Sequence, residues 1–256
     1  MSSKDGIGKV IGVALALCVV CSVVGSTAAV KLKPAQEVNK TRDLKRNILQ
    51  AAGLYDASQS VESQFESIST RVVDLRTGRF TDDIDPASFD QRAASKDPAG
   101  SAELSDDQDV AKLSRREHYS LVYLVESDQG IDKIILPIRG YGLWSTLYGF
   151  VALESDANTI VGLGFYEHGE TPGLGGEVDN PRWKAFWPGK QVYKNEEVAI
   201  ALTKGAVDPA SADAAWRVDG LSGATLTSRG VTNLVQFWLG QDGFQPFLTH
   251  LKAGEA

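Results

Sequence analysis

Residues 10–30 read VIGVALALCVVCSVVGSTAAV, 21 positions without one charged side chain. Such a run can leave water only if its backbone hydrogen bonds close within the segment, which makes it a helix. At ~1.5 Å per residue it reaches ~30 Å, the thickness of a bilayer's hydrocarbon core. Two other uses of such a run compete. Ser26-Thr27-Ala28 forms a passable signal-peptidase site behind Lys4 and Lys9, but the run is longer than an ordinary signal core. Leu17 and Val20 are bulky where a lipoprotein site at Cys18 or Cys21 needs a small residue. The reading is an uncleaved anchor: a tail at 1–9, a membrane span at 10–30, and everything else on one side.

That anchor also limits function. An ion path shows ionisable groups within the membrane, and this span has none, so the helix alone is neither channel nor pump. Lys31, Lys33, Lys40, Arg42, Lys45 and Arg46 follow the span, against Lys4 and Lys9 before it. Positive-inside counting therefore favours a cytoplasmic C-terminal domain. Cys18 and Cys21 share a helix face as small apolar packing residues, and two thiols cannot fill a four-cysteine cluster.

The remaining chain is long enough for one large or two small domains. The net charge of −7 over the full chain, with no basic stripe, argues against nucleic acid as a partner. The periodicity predicts a helix over 37–54, a strand over 70–75 and a turn at Thr77-Gly78. Residues 82–110 carry nine acidic side chains against Arg92 and Lys96, the composition of a solvated excursion or a surface for a basic partner. Strands are predicted at 119–125, 132–138, 146–153 and 160–166, with turns at 127–130 and 155–158. Asn180-Pro181 caps a short helix over 182–186, and 198–202 reads as a further strand. The fold class is α+β: one N-terminal transmembrane helix, then a twisted antiparallel sheet with packed helices. The expected division is a membrane-proximal region at 31–118 and a ligand-binding domain at 119–256.

Chemistry concentrates in Asp219-Gly220-Leu221-Ser222-Gly223-Ala224-Thr225-Leu226-Thr227-Ser228. Four hydroxyls fall within seven residues. A helix follows, with Val231, Leu234, Val235, Trp238 and Leu239 on one face and Gly240 as its stop. A glycine- and hydroxyl-rich loop opening a helix offers unpaired N–H groups and a positive dipole end to an anion. On pattern alone a hydroxyl-rich helix start is more often an ordinary N-cap. The specific string resembles the flavinylation motif of the FMN-binding domain family, found in the C subunits of sodium-translocating NADH:ubiquinone reductases and the G subunits of Rnf complexes.

The resemblance covers residues 119 to about 247. It implies FMN esterified through its phosphate to Thr225, with Ser222, Gly223, Ala224, Thr227 and Ser228 forming the surrounding loop. The run His168-Gly169-Glu170-Thr171-Pro172-Gly173-Leu174-Gly175-Gly176 reads on its residues as a wide turn after a strand. The resemblance adds it to the flavin site, where Thr171 would meet the isoalloxazine ring and Leu174 would pack on its face. Glu170 would either tune the flavin electrostatically or hold the loop. Trp144 or Leu143, in the block Gly140-Tyr141-Gly142-Leu143-Trp144, would supply a flat apolar contact. Lys204 lies upstream, either approaching the phosphate or solvated.

A Rossmann fingerprint, a Walker A sequence and zinc spacing are absent, and no nucleophile motif recommends a hydrolase. On this resemblance the chain is an electron-relaying component of a respiratory sodium-translocating NADH:quinone reductase in a bacterial inner membrane. Its domain lies on the periplasmic side, against the charge count; long domains do translocate against that bias. The implied partners are the other integral-membrane and flavin or iron–sulfur subunits, plus a separate flavin transferase. Three alternatives stay open: an Rnf-type component, a non-covalent FMN sensor, and an anchored assembly protein without cofactor.

Overall fold

The computed structural model describes residues 6–128 and 130–256; Met1–Asp5 of the expected tail and Gln129 in the expected 127–130 turn lie outside the described residues. The chain divides into two compact units, one ending at Asp43 and one spanning Leu44–Ala256. Helix α1 (Ile7–Ala51) merges the predicted span with the helix expected over 37–54. It runs on through Pro34, which gives up one ladder bond. Its apolar stretch is exposed all round, and its length and composition fit a transmembrane helix. Only its end is buried, at Ile48, Leu49 and Ala51.

The second unit continues with α2 (Val61–Phe65), β1 (Ile68–Asp74) and β2 (Arg79–Thr81). The acidic stretch then forms α3 (Gln91–Ala94) and β3 (Ser101–Glu103), and β3 pairs with β4 (Arg115–Glu117). Four long strands follow: β5 (Tyr119–Ser127), β6 (Gly130–Tyr141), β7 (Thr146–Glu154) and β8 (Ile160–Glu167). The main sheet is ordered β2-β1-β5-β6-β7-β8 with every neighbouring pair antiparallel. It therefore begins well before residue 119.

Side-chain alternation divides two cores across this sheet. Val122, Leu124, Ile134, Leu136, Val151 and Leu153 face one way. Their neighbours Tyr123, Ile135, Phe150 and Ala152 face the other, against Ile48 and Leu49 of α1 and Val61 of α2. The register enforces the split, pairing Leu136 with Val151 and Ile135 with Ala152. Covered on both faces, the strands read as nearly continuous apolar runs.

The acidic excursion is more than a solvated loop. Gln91 Nε2 donates to Glu117 Oε1 at 2.7 Å and Ser120 Oγ at 2.9 Å, while Arg92 pairs with Glu167 at 2.9 Å and lies 3.7 Å over the Tyr148 ring. These side chains tie α3 to the sheet.

The last third holds α4 (Pro181–Lys184), the hairpin β9 (Tyr193–Lys194) and β10 (Glu197–Val198), and the pair β11 (Ala201–Leu202) and β12 (Arg217–Val218). The strand predicted over 198–202 is thus two short pieces, because β11 runs parallel to β12 while β10 pairs back on β9. Helices α5 (Thr225–Trp238) and α6 (Gln245–Ala253) close the first core. All five residues predicted for the apolar face of α5 and its end are buried at 1% exposure or less. Each contributes roughly 1.5–3 kcal/mol of burial free energy. Trp238 Nε1 donates to the Arg139 carbonyl at 2.7 Å, fixing the helix along β6.

Candidate functional site at the start of α5

The loop before α5 is pinned at Asp219, Gly220 and Leu221. The Asp219 carbonyl accepts Trp183 Nε1 at 2.9 Å, and its carboxylate accepts the Val207 amide at 2.9 Å. The Gly220 amide donates to the Gly205 carbonyl at 3.0 Å, and the Leu221 amide donates to Ser228 Oγ at 2.9 Å. Gly223, at φ +71°, makes the left-handed turn that sends the chain into α5.

The helix then starts without a side-chain cap. Ala224 is the N-cap residue, no side chain bonds to the first amides, and no acidic residue sits in the first turn. Alanine there costs about 0.5–2 kcal/mol relative to the preferred capping residues. The serine that would cap, Ser222, stands two positions too early. A positive helix end is left open to an anion.

The four hydroxyls fall into two classes. Thr227 and Ser228 are buried and committed, Thr227 Oγ1 to Glu170 Oε2 at 2.7 Å and Ser228 Oγ to the Leu221 amide. Ser222 and Thr225 are exposed. Thr225 is the first helical residue, directly at the uncapped end.

Glu170 joins the three segments. Its Oε1 accepts the amides of Leu143, Trp144 and Ser145 at 3.1, 2.9 and 3.2 Å, while its Oε2 accepts Thr227. The residue is 5% exposed. Burial pushes its carboxyl up; the bonds from Thr227 and the three amides outweigh that and hold it below the ordinary glutamate value. Of the two roles open in the sequence, the geometry displays loop-holding. Glycines make the approach possible: a Cβ on Gly175 would lie 2.5 Å from Thr227 Oγ1, and one on Gly230 would lie 2.5 Å from the Tyr141 carbonyl.

Around this end stand exposed apolar side chains. Trp144 is 66% exposed on a backbone held by Glu170, and Leu226 is 51% exposed beside Thr225. Leu174, 45% exposed, reaches to 3.1 Å from where a Cβ on Gly223 would stand. Thr171 is exposed, and its carbonyl accepts the amides of Leu174 and Gly176, shaping the loop. Lys204 is exposed next to Gly205, the residue that anchors Gly220. Trp183 and Leu226 carry no signal in the sequence. A tryptophan following Asn-Pro gives no sign that its indole will meet Asp219. A cavity of about 790 Å³ lined by Tyr193, Glu196, Gln245 and Lys252 shares no residue with this site.

Gly223→Val is expected to disrupt the turn. A left-handed conformation costs a side-chain-bearing residue about 1–2 kcal/mol, and a branched Cβ also meets Leu174. That strain lowers the population of the native loop about tenfold. Limited proteolysis within the loop should accelerate accordingly, whereas Gly223→Ala should show a smaller change.

Comparison with known proteins bears on what this end holds. A model of the FMN-binding domain matches residues 142–240. The C subunit of the Na(+)-translocating NADH-quinone reductase of Pseudomonas aeruginosa is 53% identical over 261 residues, covering 100% of both chains. That of Vibrio anguillarum is 47% identical, covering 99% of this chain and 98% of the other. Among solved structures, Shewanella oneidensis NqrC superposes with a TM-score of 0.77 at 39% identity, covering 84% of this chain and 99% of that one. The corresponding C subunit from Parabacteroides distasonis gives a TM-score of 0.66 at 28% identity, over 85% and 97% of the two chains. With full-length similarity to these proteins, an FMN-binding domain and one apolar N-terminal helix, the chain belongs to the family of Na(+)-translocating NADH-quinone reductase C subunits.

Proposed function

We propose that this membrane-anchored protein carries FMN on Thr225 through a phosphoester and relays electrons between other redox subunits of the reductase. The observation that carries the reading is the uncapped start of α5, where Thr225 presents an exposed hydroxyl while Thr227 and Ser228 are buried and bonded. The residues present fit FMN. The open amides and dipole of α5 suit its phosphate, and Trp144 and Leu174 suit its ring, with Thr171 beside them. Ser222, Gly223 and Ala224 leave room around the ester.

When bound, the flavin supplies the electron transfer. The chain's own residues position it. Thr225 fixes the attachment point, Glu170 locks the three segments together, and the apolar side chains limit water at the ring. Nothing in the sequence resembles a transferase, so a separate flavin transferase loads the protein. Residues 10–30 are the membrane span and 119–256 the FMN-binding domain, while 31–118 supply β1, β2 and the α1 end that complete its sheet and second core.

We place that domain on the periplasmic side of the inner membrane. The opposing charge count weakens in the folded chain, since Lys45 and Arg46 fall within the second unit and Lys45 lies 5.0 Å over the Phe65 ring. A reporter active only after export, fused after Ala256, should be active, and a cytoplasm-only reporter silent. The reverse pattern would refute this orientation. Intact-mass measurement of the protein from its native membrane tests the reading as a whole: the expected mass exceeds the polypeptide by one FMN less one water, and an unmodified mass contradicts it.

A further inference from the structure

We infer that Arg229 is a further cofactor-binding residue, whose guanidinium holds the phosphate esterified to Thr225. The inference rests on the proposed attachment at Thr225 and extends it to a residue of α5 outside the motif. Arg229 lies four residues after Thr225, so the two are neighbours on one helix face, and both are exposed. Helical side chains lean toward the N-terminus, which directs Arg229 over the turn that begins with Thr225.

Three local features of α5 point the same way. The N-cap is alanine, the first turn has no acidic residue, and an arginine follows in the second turn. Each leaves positive potential uncompensated at a helix end that ordinarily attracts carboxylates. One anion at that end would satisfy all three. The chain has acids to spare, 33 against 26 basic residues, yet among the described residues Arg229 takes part in no ion pair. Arg76, Arg79, Arg92, Arg115, Arg139 and Arg217 each pair with a carboxylate, while Arg71 lies 3.6 Å over the Phe80 ring and Arg116 donates to the Asp242 carbonyl. Among the described residues Arg229 shares its lack of such contacts with Arg182. A guanidinium fork matches phosphate oxygens with two parallel hydrogen bonds, which a lysine reproduces only as a point charge.

The test uses the full chain purified from its native membrane in detergent, as wild type, Arg229→Ala and Arg229→Lys. Intact mass gives the extent of flavin loading, and phosphorus NMR reports the environment of the esterified phosphate. Loading of Arg229→Ala shortly after induction should fall about tenfold, the scale of one charge-assisted hydrogen bond. The phosphorus resonance of its loaded fraction should move from the wild-type position, and Arg229→Lys should restore part of both. Loaded wild type with an unmoved resonance in Arg229→Ala overturns the inference and leaves the attachment standing. Slower loading with an unmoved resonance also overturns it, assigning Arg229 to recognition by the transferase. Wild type without any flavin mass overturns the attachment, and this inference with it.

Discussion

Thr225→Ala is expected to yield a folded, membrane-anchored chain that carries no covalent flavin. The side chain is exposed at the first position of α5 and takes no part in the bonds that pin the loop. Its removal should change stability by no more than about 0.5 kcal/mol, as is usual for surface substitutions away from buried features. Flavin fluorescence in a denaturing gel should vanish nevertheless, because no other hydroxyl takes its place. Thr227 and Ser228 are buried and bonded, and Ser222 sits before the turn at Gly223, away from the first helical residue. Thr225→Ser keeps a hydroxyl at the same place and should retain part of the loading. Wild-type fluorescence in Thr225→Ala would move the linkage to Ser222.

Glu170→Ala should have the opposite profile, a large loss of stability that carries the flavin with it. The substitution strips acceptors from three amides and from Thr227 Oγ1, all at a residue 5% exposed. Deleting one side of such a buried charged network costs about 3–5 kcal/mol. For a folded unit of this size, that lowers the melting temperature by about 10 °C. Glu170→Gln should cost less, since its remaining oxygen still serves the amides. A pH signature separates the two forms. The folded carboxyl lies below its ordinary value, so its stabilisation is fully present above the unfolded value of 4.5 and is lost as pH falls through the folded one. Denaturant titrations from neutral pH to below 4.5 should show this loss in wild type and a flatter slope in Glu170→Gln. Equal slopes would remove the carboxylate from the account.

How far the sequence foretold this architecture depends on whether a feature is local. The apolar face of α5 was legible, because Val231, Leu234, Val235 and Trp238 repeat at helical spacing and all are buried. The four long strands were legible from their β-branched runs, within a few residues at their ends. The continuity of the span with the helix expected over 37–54 was not legible, and α1 runs through Pro34 without ending. The division at 198–202 depends on β12, whose position no local pattern announces. The excursion over 82–110 looked solvated because its ties to the sheet are two side chains, Gln91 and Arg92, in an otherwise acidic run. The site itself shows the same boundary. The motif stood out as a string, but the bond between Glu170 and Thr227 joins residues 57 apart. That contact commits Thr227, the Leu221 amide commits Ser228, and Ser222 and Thr225 are left exposed. Sequence spacing could place four hydroxyls together and could not divide them.

The claim that Thr225 is the attachment point is tested most directly by fragment-mass analysis of the proteolytic peptide spanning Asp219–Arg229, taken from the native membrane protein. The expected result is one FMN less one water on Thr225, with Ser222, Thr227 and Ser228 unmodified. An unmodified peptide throughout, or flavin mapped to Ser222, would contradict it.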